Sequence, residues 1–340
     1  MYRILLLVSF TYACSSPGTT ADISATHTRT AADVPSHSTT DTVAPDSSDS
    51  ATQNDASEPA PAFQPPSGKP PGLLGGTERP SLYYVPEQYT HDTSWPLLIL
   101  LHGYSASGLA QDGYTAMSTK VSSRGFILIT PDGTPDADGY LHWNATDACC
   151  DFGGIGTDDV AYISSLIDEV STWFNVDADR VLVMGHSNGG YMTFRLACDI
   201  GDRLAGAISI AGGMWLDDTK CPAPAPLTMI AAHAPDDIDV NYEGSTSGSQ
   251  QYKGAIDSAA FWAKRNGCAD VPQPQGNLDL VTEVVGNETE RIIFPNCSSG
   301  TQVEVWRMND AGHSPDFSDG VFAEYALDVL LAARRSQSEE

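Results

Sequence analysis

From residue 81 onward, short and wholly apolar runs alternate with stretches whose apolar residues recur every third or fourth position. The runs predict strands over Leu82–Val85, Leu97–His102, Phe126–Thr130, Val181–Gly185, Ala207–Ala211, Leu227–His233 and Val303–Met308. The periodic stretches predict helices over Asp158–Phe174, Gly190–Asp199, Gln250–Asn266 and Gly320–Arg335. In the first of these, Val160, Ile163, Ile167, Val170 and Phe174 recur at helical spacing. The central runs are continuous rather than alternating, as strands are when a parallel sheet is covered on both faces. The pattern therefore predicts an α/β domain with a mostly parallel central sheet and helices on both faces. The connection from Ala211 to Leu227 is short, so no large cap domain is expected and the cleft should be open.

Residues 15 to about 70 break this pattern, being dominated by Ser, Thr, Ala, Pro and Asp with almost no large apolar side chains. Such a stretch cannot bury enough surface to offset its ordering entropy, so residues 14–75 are expected to be a disordered tether ahead of a catalytic domain at 76–340. Before it, Arg3 precedes an apolar run from Ile4 to Phe10, and Tyr12-Ala13-Cys14 closes the segment. The run is too short to span a bilayer and reads as an export signal over residues 1–13. A small residue directly before Cys, with a Ser-rich spacer after it, resembles a bacterial lipoprotein signal. That resemblance implies a lipid on Cys14 as the one membrane attachment, and an extracellular or cell-surface location.

The remaining cysteines are Cys149, Cys150, Cys198, Cys221, Cys268 and Cys297. An even set in an exported chain favours disulfides. Cys268 with Cys297 and Cys198 with Cys221 are the expected pairs, since each flanks one loop region. Adjacent Cys149 and Cys150 are then left as a vicinal bridge or as free thiols. No C-x-x-C pair occurs, so no metal site is expected. A net charge of −27 at pH 7 repels phosphate backbones and anionic polymers, which argues against nucleic acid as a partner.

The chemistry centres on Val181-Leu-Val-Met-Gly185-His186-Ser187-Asn188-Gly189-Gly190, a G-x-S-x-G placed between a buried strand and a helix. A serine at such a sharp turn needs small neighbours, and the helix that follows aims its free N–H groups at the site. This is the nucleophile elbow of the α/β-hydrolase fold, with Ser187 as nucleophile. The fold orders its partners Ser, acid, His. Downstream of Ser187 stand His233, which ends a strand and reads as a packed structural side chain, and His313 in Asp310-Ala-Gly-His-Ser-Pro. His313 lies between the last strand and the last helix and is the expected base. Asp236, Asp237 and Asp239 compete for the acid, and spacing alone does not choose among them. The expected oxyanion donors are the backbone N–H groups of Asn188 and of Tyr104, the latter in Leu100-Leu-His102-Gly103-Tyr104. Trp143 and His102 are the candidate substrate-binding side chains. Trp143 and Tyr104 would stack on an aromatic or sugar ring, while His102 would orient its loop rather than transfer a proton.

These motifs, with Pro131-Asp-Gly133, Trp143-Asn144, Thr157-Asp-Asp-Val160 and Gly312-His313-Ser314, are similar to those of a known family from about Arg79 to the C-terminus. The chain resembles the extracellular esterases that include feruloyl esterases, acetyl xylan esterases and polyhydroxybutyrate depolymerase-like proteins. The resemblance implies Asp237 as the acid, with Asp236 in reserve, because His233-Ala-Pro-Asp-Asp237 followed by Tyr242 and Gly244 matches the family's acid segment. It also implies a Ser-His-Asp serine esterase needing no cofactor. Its substrate would be a polymeric ester, first of all feruloyl or acetyl groups on neutral hemicellulose such as xylan, hydrolysed by a monomer. A hydroxyalkanoate polyester is the runner-up, and a peptidase of the same fold is third. The reading of a different class is a surface lipoprotein that keeps the fold as a non-catalytic binding module. Such a module should have lost the nucleophile, the base or the flanking glycines, all of which are present.

Overall fold

The computed structural model describes residues 62–222 and 225–335. The export signal, Cys14 and the first part of the expected tether lie outside the described residues. In chain order the elements are β1 (Ser81–Tyr84), β2 (Trp95–Leu101), α1 (Gly108–Thr115), α2 (Val121–Arg124), β3 (Ile127–Pro131), β4 (Thr134–Pro135) and β5 (Leu141–His142). They continue with α3 (Asp159–Trp173), β6 (Val176–His186), α4 (Asn188–Asp199), β7 (Gly206–Ile210), β8 (Thr228–His233), β9 (Gly244–Ser245) and β10 (Tyr252–Lys253). Last come α5 (Ala255–Arg265), β11 (Gln273–Leu278), β12 (Thr289–Phe294), β13 (Val303–Met308) and α6 (Val321–Ala332).

Nine of the strands form one sheet in the order β1-β3-β2-β6-β7-β8-β13-β12-β11. From β3 to β13 every neighbour is parallel, and antiparallel strands close both edges. The run Leu97–Leu101 shows why the central strands are apolar throughout. Leu97, Ile99 and Leu101 enter the core that includes α3, α4 and α5, while Leu98 and Leu100 enter the second core under α6. Successive side chains point to opposite faces, so a strand covered on both needs every position apolar. This is the architecture expected from the pattern. Residues 211–222 and 225–227, between β7 and β8, contribute one short 3-10 turn at Asp218–Lys220 and no cap domain.

Three of the departures from the expectation have a reason in the sequence. Residues 62–75 were placed in the tether, yet Leu74 is fully buried and exchanges two backbone hydrogen bonds with Ser81, of 3.0 and 2.8 Å. Two adjacent leucines in a polar stretch, Leu73 exposed and Leu74 buried, give no periodicity to detect. The hairpin β11–β12 was missed because β11 reads Gln-Pro-Gln-Gly-Asn-Leu and is exposed along most of its length, an edge strand paired on one side only. Helix α1 was missed because its sequence, Gly-Leu-Ala-Gln-Asp-Gly-Tyr-Thr, has no apolar stripe. It forms because the Ser107 side chain caps it, accepting from Ala110 N–H, and because Gly108 can lie against the β3 backbone.

Disulfides join Cys198 to Cys221, Cys268 to Cys297, and Cys149 to Cys150. The first ties the end of α4 to the loop before β8 and closes a separation of 23 residues. In the chain-entropy account such a link is worth roughly 3 kcal/mol. Replacing Cys198 and Cys221 together by Ser should lower the unfolding free energy by about that amount, read from urea denaturation without reductant.

Candidate active site

Strand β6 runs through buried apolar positions to Gly185 and His186 and ends in a turn at Ser187, with φ 54° and ψ −119°. Helix α4 starts at the next residue. A Cβ on Gly185 would stand 2.3 Å from the Gly189 carbonyl oxygen, and one on Gly189 would stand 2.4 Å from that of Leu101. Only glycine fits at these two positions, so the G-x-S-x-G spacing is what lets helix, turn and strand β2 close on one another. The first N–H groups of a helix have no intrahelical partner, and here they face the serine.

His313 lies in the loop between β13 and α6. Its Nε2 is 2.9 Å from Ser187 Oγ and its Nδ1 is 2.8 Å from Asp237 Oδ2. Asp237 is buried, and its Oδ1 accepts from the N–H groups of Asp239 and Val240 at 2.9 and 2.8 Å. Burial alone would raise its pKa, but hydrogen bonds from His233 and His313 outweigh that and hold the carboxyl well below its ordinary value. Of the three competing carboxylates, Asp237 is the one placed against His313. Asp236 instead accepts from Gly312 N–H at 3.2 Å, tying the acid's loop to that of His313. Asp239 contributes its backbone to Asp237. Carboxylate and imidazole atoms of Asp237, Asp239 and His313 all lie within 4.8 Å of one another. Two of these residues are already hydrogen-bonded to each other, which leaves a metal no complete set of donors.

His233, read from the sequence as a packed structural side chain, and His186, given no role there, both contact this chain. His233 Nε2 is 3.0 Å from Asp237 Oδ2 and 2.9 Å from the Val240 carbonyl. Both partners are acceptors, so Nε2 carries the proton. His186 Nε2 donates to the His313 carbonyl at 2.8 Å, and its ring lies 5.1 Å from that of His313. Burial first, and then the neighbouring His313, push the His186 pKa down to about 4. A histidine at the x of G-x-S-x-G, and another four residues before the acid, were the signals available in the sequence.

Two expected substrate contacts are corrected. Trp143 and His102 are both fully buried and offer no surface to a substrate. Trp143 instead braces the turn: its indole N–H donates to the His102 carbonyl at 2.9 Å, and its backbone exchanges hydrogen bonds of 2.7 and 2.9 Å with the Asn188 side chain. It thereby links the two segments expected to supply oxyanion donors. His102 does orient its loop. Its Nδ1 donates to the Gly103 carbonyl at 2.7 Å and its Nε2 accepts from Gly133 N–H at 2.8 Å. That pattern requires a neutral ring, and burial lowers its pKa accordingly. Tyr104 lines a cleft of about 290 Å³ with Gly103, Ala106, Tyr114, Ser187 and His313.

The "Putative esterase" family model matches residues 75–304, which span the elbow, the acid loop and nearly the whole sheet. The chain belongs to this esterase family. The esterase is 28% identical over 237 residues to Feruloyl esterase B of Piromyces equi, covering 67% of this chain and 41% of that protein. It is 23% identical over 244 residues to the bifunctional acetylxylan esterase/xylanase XynS20E of Neocallimastix patriciarum, covering 72% of this chain and 32% of that one. The esterase thus spans less than half the length of either relative. Among solved structures, the acetyl xylan esterase from Aspergillus awamori superposes with a TM-score of 0.54 at 16% identity, covering 77% of this chain and 98% of the other. That likeness establishes the α/β-hydrolase fold. Among the described residues no helix is long and apolar enough to cross a membrane.

The depressed His186 pKa has a consequence for stability. The folded protein keeps this ring neutral down to about pH 4, whereas the unfolded chain takes up the proton near 6.5. Its contribution is complete above pH 6.5 and is lost as the pH falls from 6.5 to about 4. Replacing His186 by Gln should remove about 3 kcal/mol of the difference in urea-unfolding free energy between pH 7 and pH 4.

Proposed function

We propose that the esterase is an exported serine carboxylic-ester hydrolase that removes feruloyl or acetyl groups from a neutral hemicellulose such as xylan. The observation that carries the reading is the hydrogen-bonded chain Ser187–His313–Asp237, at 2.9 and 2.8 Å, set at the start of helix α4. A serine hydroxyl is a weak nucleophile, and this chain supplies what activates it. His313 Nε2 takes the Ser187 proton as Oγ attacks the ester carbonyl carbon. Asp237, held ionised by its hydrogen bonds, fixes the ring and balances the imidazolium. The N–H groups of Asn188 and Tyr104 receive the developing oxyanion. The alcohol leaves with the proton from His313, and water then releases the acid by the same steps.

The substrate class rests on three supports. The relatives named above are a feruloyl esterase and an acetylxylan esterase. The cleft beside Ser187 is walled by Gly103, Tyr104, Ala106, Ala110 and Tyr114, surfaces suited to an acyl group without charge. A chain of net charge −27 is not repelled by a neutral polymer. In this reading the lipid on Cys14 and the segment after it keep the enzyme at the cell surface.

Release of ferulate or acetate from xylan is the test, with a polyhydroxybutyrate suspension assayed beside it. Ser187→Ala is expected to lower kcat on the order of 10⁶-fold. Asp237→Asn is expected to lower it on the order of 10⁴-fold, and Asp236→Asn far less. Release from the polyester alone would overturn the substrate class, and no release from either would sink the esterase reading.

A further inference from the structure

Next to the catalytic cleft lies a larger one of about 440 Å³, lined in part by Asn144, Thr146, Cys149, Phe152, Arg195 and Trp215. The two adjoin at Tyr104 and Phe152, whose ring centres are 5.8 Å apart. Behind them the buried Asn188 side chain, one residue after Ser187, reaches Cys149 Sγ of the second cleft at 3.6 Å. A third hollow of about 150 Å³ continues the second, sharing Asp147 and Trp215 with it and adding Gln251. The second and third hollows together form a groove that begins beside the catalytic cleft.

The chemistry of its walls selects a ligand. Its cations are both engaged: Arg195 pairs with Asp199, and Lys220 Nζ lies 2.5 Å from Asp147. No lining cation is left over to recruit a phosphate, sulfate or carboxylate. Asp151 accepts from the N–H groups of Ile155 and Gly156 at 2.8 and 2.6 Å, which shapes the loop that presents Phe152. Phe152 is 65% exposed, a large apolar ring held in water above polar walls. An open aromatic face ringed by amide, hydroxyl and paired charged groups suits a molecule with an apolar C–H face and a rim of hydroxyls.

We propose that this groove binds uncharged sugar residues of the polymer on the alcohol side of the scissile ester, with Phe152 as the stacking platform. The inference rests on the esterase reading for its orientation relative to Ser187, but binding does not require turnover. The test is calorimetric titration of the Ser187→Ala protein with xylohexaose, which carries no ester. The expected result is millimolar binding, weakened at least ten-fold by adding Phe152→Ala and retained with Phe152→Tyr. Phe152 is mostly exposed, so its truncation leaves the core intact, and an unchanged circular dichroism melt will verify this. In the enzyme with Ser187 intact, Phe152→Ala should lower kcat/KM for feruloylated xylo-oligosaccharide about ten-fold relative to methyl ferulate. Absence of xylohexaose binding, or equal binding by the Phe152→Ala protein, would overturn the proposal. Binding without any ester hydrolysis by the enzyme would instead leave the groove standing and remove the esterase reading.

Discussion

The close contact of three backbone segments at the serine turn is the constraint on which the rest of the structure depends. Strand β6, the end of β2 and the start of α4 approach so tightly that carbonyl oxygens of Gly189 and Leu101 occupy the space where side chains at 185 and 189 would be. Ser187 takes a backbone conformation that L-residues rarely adopt, with φ 54°. Such a conformation persists only where the surroundings over-determine it. Here the surroundings are the central strands of a sheet buried on both faces, each contributing apolar side chains to two cores. The strain sits at the surface end of the most rigid part of the molecule.

Around that turn, buried polar groups act as spacers. Trp143 spans from the His102 carbonyl to the Asn188 side chain, and Asn144 is held in turn by Asp159 at the start of α3. Asp159 also pairs with Arg79, whose guanidinium lies over the Trp143 and Tyr162 rings. The Trp143-Asn144 and Thr157-Asp-Asp-Val160 motifs therefore belong to one brace, separated in sequence and joined in space. Each member is hydrogen-bonded, as buried polar groups must be to avoid a desolvation penalty of about 1–3 kcal/mol. The same economy governs the histidines. His102, His186 and His233 are all buried, and each spends at least one ring nitrogen on a group of the site.

The loops from Thr134 to Asp158 and from Ala234 to Gly254 are where this domain is least regular. The first carries the β4–β5 hairpin, the Cys149–Cys150 link and exposed Tyr140, Phe152 and Ile155. The second carries Asp237. A rigid sheet holding irregular connections is a frequent arrangement for binding and catalysis, because the sheet fixes position while the loops vary in chemistry.

The chain by itself determined the fold class and pointed to Ser187 and His313 as candidate nucleophile and base. Periodicity separated the strands from the helices, and G-x-S-x-G between a buried strand and a helix admits few other uses. Spacing could not separate Asp236, Asp237 and Asp239, since carboxylates within four positions differ only in where the loop points them. The tertiary structure turned Asp237 to His313 and gave Asp236 a backbone N–H instead. It also decided burial, which residue type does not encode. Trp143 and His102 have the chemistry of substrate contacts but lie in the interior, while Phe152, unremarked in the sequence, stands in solvent beside the cleft. Periodic pattern reports which face an element buries. Only long-range packing reports what an individual side chain in a loop meets.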